Sequence, residues 1–243
     1  MNWTRQQIKS NARLMVRKNW LMCIAVSLVV ALFAGSSGFS ANLNLDGDTT
    51  AQMASNVGGN WSYWIMTFLP FLAGAAAIVA VLSILAAIFI GNPVTVGGAR
   101  FYLHNIHSKG ELGDLGFAFR NQYSNVVKVM LMRDIYIILW TLLLIIPGII
   151  KSYEYFLVPY LLADNPELDT KEALQLSKAM MNGEKMNAFV LQLSFILWNL
   201  LSSMTLGIAG VVWVNPYIDA SNAELYTAIK TRWEDRGYGD GTY

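Results

Sequence analysis

The sequence predicts an all-α protein, a polytopic transmembrane helix bundle of about six crossings with short or broken helices and with additional cytoplasmic amphipathic helices. Of its 243 residues, 55% are hydrophobic and only 14% are charged, whereas an ordinary soluble domain is roughly 25% charged. Long apolar runs alternate with polar segments, and Lys and Arg concentrate in alternate polar segments. This asymmetry is typical of cytoplasmic loops, because moving these charges across a bilayer is costly.

The chain is expected to form a single integral membrane domain with both termini in the cytoplasm. Cys23, the single cysteine, lies in the first apolar run, so neither an intrachain disulfide nor a cysteine-based metal site is possible. The domain divides into an N-terminal helix, a first helix pair, a middle hairpin with a cytoplasmic helix, and a last hairpin with the C-terminal tail: residues 1–19, 20–110, 111–187 and 188–243.

Residues 1–19 predict a basic amphipathic helix. Thr4 and Gln7 have the spacing of a capping box at its start. Three apolar residues line one face: Ile8, Ala12 and Met15. Four residues that recur every fourth position form a second face, the basic stripe: Arg5, Lys9, Arg13 and Arg17. We expect the stripe to contact anionic lipids of the cytoplasmic leaflet, where each basic residue contributes about 1 kcal/mol. A solvated segment that only sets the topology is the alternative.

The first helix pair consists of two apolar segments, residues 20–39 and 71–90. The loop between them contains Asp46 and Asp48 but no Lys or Arg, which predicts that it lies outside the cell. Three aromatic residues before the second segment predict a belt at the outer interface: Trp61, Tyr63 and Trp64.

Two further apolar stretches, residues 129–163 and 188–214, decide the number of crossings. Pro147-Gly148 divides the first stretch as a turn-forming dipeptide would, and the second is loosened near Thr205, Gly207 and Gly210. Splitting both into hairpins gives six crossings and keeps three lysines in the cytoplasm: Lys171, Lys178 and Lys185. Four crossings would export these lysines, and five would export the basic C-terminal tail, so six agrees best with the charge rule.

Local signals predict further features on the cytoplasmic side. Asp169 and Gly183 bracket an amphipathic segment with the start and stop signals of a helix. A short internal echo joins Asn92-Pro93 with Asn215-Pro216, each of which follows an apolar run and precedes a partly amphipathic stretch. Such echoes occur in transporter folds built from duplicated halves.

One set of motifs is specific enough to indicate a family. The stretch from Ile145 to Tyr153 reads IIPGIIKSY, and it is followed by Pro159-Tyr160, by ADNP at residues 163–166 and by Asn215-Pro216-Tyr217. With these motifs the chain resembles the DUF975 family of bacterial membrane proteins, most closely in its second half. The layout is also similar to YciC-like six-helix membrane proteins and to the membrane domain of some glycerophosphodiester phosphodiesterases. The resemblance implies a bacterial cytoplasmic membrane location but no catalytic or binding residues.

Lys151 and Glu154 are the strongest candidate site, which we interpret as an intramembrane polar pair. They have the i,i+3 spacing that lets them pair on one helix face inside an apolar stretch, and ionisable residues within a membrane are functional candidates. The alternative is that both extend to the outer interface as anchors. Arg133 and Asp134 are expected to be interfacial anchors.

His104 and His107 are three residues apart and could share a metal with Glu111 or Asp114, although surface histidines are the simpler interpretation. No Gly-rich phosphate loop, H-E-x-x-H or G-x-S-x-G motif is present in the sequence. We therefore expect no catalytic residues, no cofactor and no metal site.

The expected function is a non-enzymatic accessory or scaffold protein of the bacterial cytoplasmic membrane, in envelope homeostasis. The alternative is a small transporter or exporter that uses broken helices around Lys151 and Glu154. The expected partners are membrane lipids of the anionic cytoplasmic leaflet and a membrane protein whose identity the sequence does not indicate. A net charge of +1 argues against bulk binding of nucleic acid.

Overall fold

The computed structural model describes residues 3–34, 61–205 and 207–238, and within these ranges it contains helices and no strands, as the all-α prediction requires. The predicted outer loop and the side chains of Trp61, Tyr63 and Trp64 lie outside the described part. The α-helices in chain order are α1 (Arg5–Lys18), α2 (Trp20–Ala34), α3 (Trp61–Ala86), α4 (Asn92–His107), α5 (Phe117–Arg120), α6 (Tyr123–Leu143), α7 (Ile145–Glu154), α8 (Val158–Asp164), α9 (Thr170–Met180), α10 (Lys185–Leu193), α11 (Ile196–Met204) and α12 (Asn215–Trp233).

Helix α4 forms the centre of the packed part of the protein. It contacts α2, α6, α8 and α12, and most of its residues are buried, including Phe101 and Tyr102. Helix α1 packs along α12 with its predicted apolar face, and Ile8 and Met15 of that face are buried. The apolar face of the N-terminal helix is therefore covered by the protein itself and not by lipid.

The predicted helix signals at the start of α1 and at both ends of α9 are confirmed. Thr4 accepts a hydrogen bond from the backbone N–H of Gln7, and the Gln7 side chain accepts one from the backbone of Thr4. Asp169 caps α9 by accepting from the backbone N–H of Lys171 at 3.3 Å. Gly183 follows α9 with a φ of 84°, a left-handed conformation that glycine adopts without a Cβ penalty.

The helix ends that point away from the packed part are apolar and exposed. Residues 68–90 of α3 and the turn that follows it are exposed with the exception of Ile88. The junction of α6 and α7 is similar, with Leu142 at 79% and Ile146 at 73% exposure, and Met204 at the end of α11 reaches 77%. Exposed apolar surface on this scale marks a contact with a membrane or a partner.

Within the described residues, two helical segments are long and apolar enough to span a membrane: Phe68–His107 and Lys185–Met204. A third candidate arises if Arg5–Lys18 and Trp20–Phe33, which are bent by 104° at their junction, form one broken span. These lengths are compatible with membrane localisation. Six crossings, and the orientation of the termini, remain predictions.

The middle hairpin, which α6 and α7 form, breaks earlier than the sequence predicted. Helix α6 ends at Leu143. The next residue, Leu144, is extended with a φ of −157° and a ψ of 137°, and Pro147 lies within the first turn of α7. A proline is tolerated there because the first turn of a helix has no intrahelical acceptor for its N–H groups. Gly148 allows α6 and α7 to pack closely, since a Cβ at this position would lie 2.3 Å from Thr141 Oγ1.

The last hairpin, which α11 and α12 form, breaks where the sequence predicted, and its two arms also pack closely at a glycine. Gly207 has a φ of 86° at the break. A Cβ on Gly210 would lie 2.3 Å from Ser202 Oγ in the opposite arm. Each hairpin therefore brings a glycine against a hydroxyl-bearing residue near its apex.

The internal echo has a structural counterpart. A π-helical turn, Ala87–Gly91, precedes Asn92-Pro93, and another, Gly210–Val214, precedes Asn215-Pro216. A proline lacks an N–H and its ring clashes with the carbonyl four residues earlier, and a wider helical turn relieves both problems. The two helices that follow, α4 and α12, contact each other in the core.

Candidate functional site

Glu154 is the centre of a buried charge cluster at the end of α7. Its Oε2 atom lies 2.6 Å from Lys151 Nζ, and its Oε1 atom lies 2.6 Å from Lys185 Nζ at the start of α10. The Glu154 side chain is 8% exposed, whereas those of Lys151 and Lys185 are 19% and 33% exposed. The structure thus brings together the predicted pair and adds Lys185, which the sequence indicated only as a loop lysine.

Lys151 makes aromatic contacts as well. Its Nζ atom lies 5.4 Å from the ring centre of Trp140 on α6 and 5.7 Å from that of Tyr155. An ammonium group over a ring face is attracted by the ring quadrupole, more strongly where water is excluded. The cluster therefore links the last turn of α7 to both α6 and α10. Glu154 pairs with both lysines at once, so the geometry is that of a clamp.

Two further ion pairs attach α12 to the same region. Glu184, which directly precedes Lys185, pairs with Arg232. Asp164 at the end of α8 accepts from Lys230 Nζ at 2.6 Å and from the Tyr226 hydroxyl at 2.7 Å. Together with the Glu154 cluster these pairs connect α7, α8, α10 and α12 at one side of the molecule. The pairs of Asp164 and Glu184 could not be predicted from local spacing, because their partners are far apart in the sequence.

The basic stripe of α1 divides into exposed and packed members. Arg5, Arg13 and Arg17 are exposed, and Lys9 is half-buried with its Nζ atom 4.4 Å from the ring centre of Phe195. Burial lowers the pKa of Lys9, and the charges of Arg13 and Arg5 lower it further. Arg13 also lies over the ring of Tyr217, at 5.5 Å. The three arginines are the members of the stripe that are free to meet lipid headgroups.

We expect phosphatidylglycerol to stabilise the detergent-solubilised protein more than phosphatidylethanolamine does, because exposed arginines attract anionic headgroups. The gain in melting temperature should fall as salt screens the attraction. Replacing Arg5, Arg13 and Arg17 by Gln should remove most of the gain. The matched control replaces three exposed basic residues outside the stripe, Lys109, Lys171 and Lys178, by Gln. A stripe variant that keeps the full gain would exclude this contact.

The other ionisable candidates are paired locally. His104 Nδ1 lies 3.0 Å from Asp114 Oδ1, and Arg133 is bound to Asp134 with a shortest distance of 2.8 Å. In the part of the chain that the structure describes, no group of three His, Cys, Asp or Glu side chains is arranged to hold a metal. The metal alternative for His104 and His107 thus gains no support.

A cavity of about 310 Å³ lies between α4, the end of α7, α8 and α12. Its lining includes Arg133, Ser152 and Asp219, but neither Lys151 nor Glu154. Asp219 could not be predicted from the sequence, because an isolated acid near the start of a helix carries no motif. The only available signal was its position four residues after Asn215 in an apolar context.

A family model described as a protein of unknown function, DUF975, matches residues 76–233, which is more than half of the chain. The chain belongs to the DUF975 family. The match begins inside α3, ends at the last residue of α12 and includes the Glu154 cluster and the lining of the cavity other than Val30. It does not extend to α1. No significant match was found among curated proteins or among solved structures.

Proposed function

We propose that this DUF975 protein is a non-enzymatic accessory or scaffold protein that crosses the bacterial cytoplasmic membrane about six times. In this arrangement the exposed apolar helix ends contact acyl chains. The side that carries the pairs of Asp164 and Glu184, with α1 and α9, faces the cytoplasm. The observation that carries the proposal is the connection of the middle and last hairpins through the Glu154 cluster and the pairs of Glu184 and Asp164.

The crossing count draws support from the position of the breaks. Leu144 and Gly207 lie at the apolar apices of two helical hairpins, and α2 and α3 supply the first pair. Helix α7 alone has 10 residues, which corresponds to about 15 Å, or half of the hydrocarbon core. Its crossing therefore also needs the residues of α8.

A scaffold explains the chemistry of the cluster better than transport around Lys151 and Glu154. A transport site needs charges that can exchange partners with a substrate or with water, and these residues lie outside the lining of the cavity. Breaking a buried ion pair is costly, so such pairs are suited to holding helices in one arrangement. The transporter alternative would require the Glu154 cluster to open.

The test is photo-crosslinking in the native membrane from the exposed face of α9. A photoreactive residue at Lys178 should give a discrete crosslinked product with one membrane-protein partner. The product should disappear when the neighbouring exposed residues Lys171 and Gln175 are replaced by Glu. A photoreactive residue at Val79, on the exposed apolar part of α3, is the control for lipid adducts. Lipid adducts alone at both positions would contradict the scaffold role.

A further inference from the structure

The cavity beneath α4 has mostly aromatic and small apolar walls. The rings of Tyr102, Tyr155, Phe156 and Tyr160 all contribute to its lining. Its volume of about 310 Å³ lies at the lower end of the range of about 300–1,000 Å³ that is common for small-molecule sites. The site is therefore large enough for a small organic molecule, and its walls favour one with a hydrophobic or cationic surface.

Asp219 gives this cavity an uncompensated negative charge. Asp219 forms no ion pair with any Lys, Arg or His in the described residues, in contrast to Glu154, Glu184 and Asp164. The cation that also lines the cavity, Arg133, is already neutralised by Asp134. A positively charged ligand would compensate this charge, and burial of a carboxylate is costly without such a partner.

A hydrogen-bond chain holds Asp219 as an acceptor. Ser27 Oγ donates to Asp219 Oδ2 at 2.6 Å, which uses the single proton of that hydroxyl. The Tyr102 hydroxyl donates its single proton to Ser27 Oγ at 2.6 Å, and it also lies 3.1 Å from the carbonyl oxygen of Cys23. Because Ser27 presents its lone pairs to Tyr102, the chain positions one carboxylate oxygen and leaves Oδ1 without a hydrogen-bond partner among the described residues.

We propose that this cavity binds a quaternary ammonium group, with Asp219 as its counter-ion and the aromatic rings as its walls. A quaternary ammonium has no N–H group, so it needs no ring of acceptors. Aromatic faces next to a carboxylate supply the attraction it can use. A primary ammonium would instead need three hydrogen-bond acceptors around it, which aromatic faces do not supply. This assignment is independent of the scaffold function.

The test is isothermal titration calorimetry of the full-length protein in phosphatidylglycerol nanodiscs, with choline as the probe. Choline should bind saturably, whereas ethanolamine and potassium should bind at least tenfold more weakly. Asp219→Asn should weaken choline binding at least tenfold, because it removes the counter-charge but keeps an acceptor for Ser27. Glu167→Gln, the same change in charge at an exposed site outside the cavity, is the matched control and should bind like the unmodified protein.

Phe156→Leu keeps Asp219 and removes one aromatic wall, so it should weaken choline binding severalfold even if the Asp219 variant fails to fold. Nanodiscs that contain phosphatidylcholine distinguish two sources of the same group. Loss of the choline signal in them assigns the lipid headgroup as occupant, and retention assigns free ligand. Absence of saturable choline binding, or equal binding by Asp219→Asn and the unmodified protein, would overturn the proposal.

Discussion

Replacing Glu154 by Gln is expected to lower the free energy of unfolding by about 3 kcal/mol, because it leaves Lys151 and Lys185 without their shared counter-charge in a buried cluster. Lys151→Met and Lys185→Met should each cost less, since Glu154 keeps one lysine as its partner in either variant. Thermal and denaturant unfolding in nanodiscs would measure all three effects.

The order of these effects separates a clamp from a surface contact. In a clamp, Glu154→Gln combined with Lys151→Met should cost less than the sum of the single changes, because contacting residues are energetically coupled. Surface ion pairs contribute about 0–1 kcal/mol. Three small, equal and additive effects would therefore show that the cluster does not hold α7 and α10 together.

The second large effect is expected for Gly97→Ala in α4. A Cβ at Gly97 would lie 2.3 Å from the carbonyl oxygen and 2.8 Å from the Cα atom of Leu115. These are backbone atoms of the connector between α4 and α5, the 3₁₀ turn Leu112–Gly116, which packs on α4. Backbone atoms cannot rotate away as a side chain can. Overpacking of this kind typically costs about 1–3 kcal/mol, which outweighs the gain of about 1 kcal/mol in helix propensity.

Gly74→Ala is the matched control for that substitution. Gly74 also lies inside a helix, but a Cβ there would have no atom within 4 Å. It should leave the melting temperature unchanged or raise it slightly, while Gly97→Ala should lower it clearly. Similar melting temperatures for the two variants would show that the connector does not pack tightly on α4.

Features that depend on neighbours in the sequence could be predicted. The capping box of α1 and the spacing of Lys151 and Glu154 are local, and so is the break near Gly207, because each rests on residues within one or two helical turns. Pro147-Gly148 misled the prediction of the first break. A proline is compatible with both a turn and the first turn of a helix, and its sequence context does not distinguish them.

The rest of the site could not be predicted, because it depends on tertiary contacts. Lys185 reaches Glu154 across 31 positions, and Ser27 reaches Asp219 across 192. The apolar face of α1 was equally compatible with lipid and with a helix of the protein, since both partners are apolar. Only the packing on α12 decides between them.

The most direct test of the membrane arrangement is cysteine labelling in intact cells with an impermeant thiol reagent. Single cysteines would replace Asp48, Leu144, Lys178 and Asp235 in a Cys23→Ser background. Six crossings predict labelling at Asp48 and Leu144, and protection at Lys178 and Asp235 until the cells are opened. Labelling at position 178 in intact cells would contradict the model of six crossings. Protection at position 144 would also contradict it, because the hairpin of α6 and α7 would then end inside the bilayer.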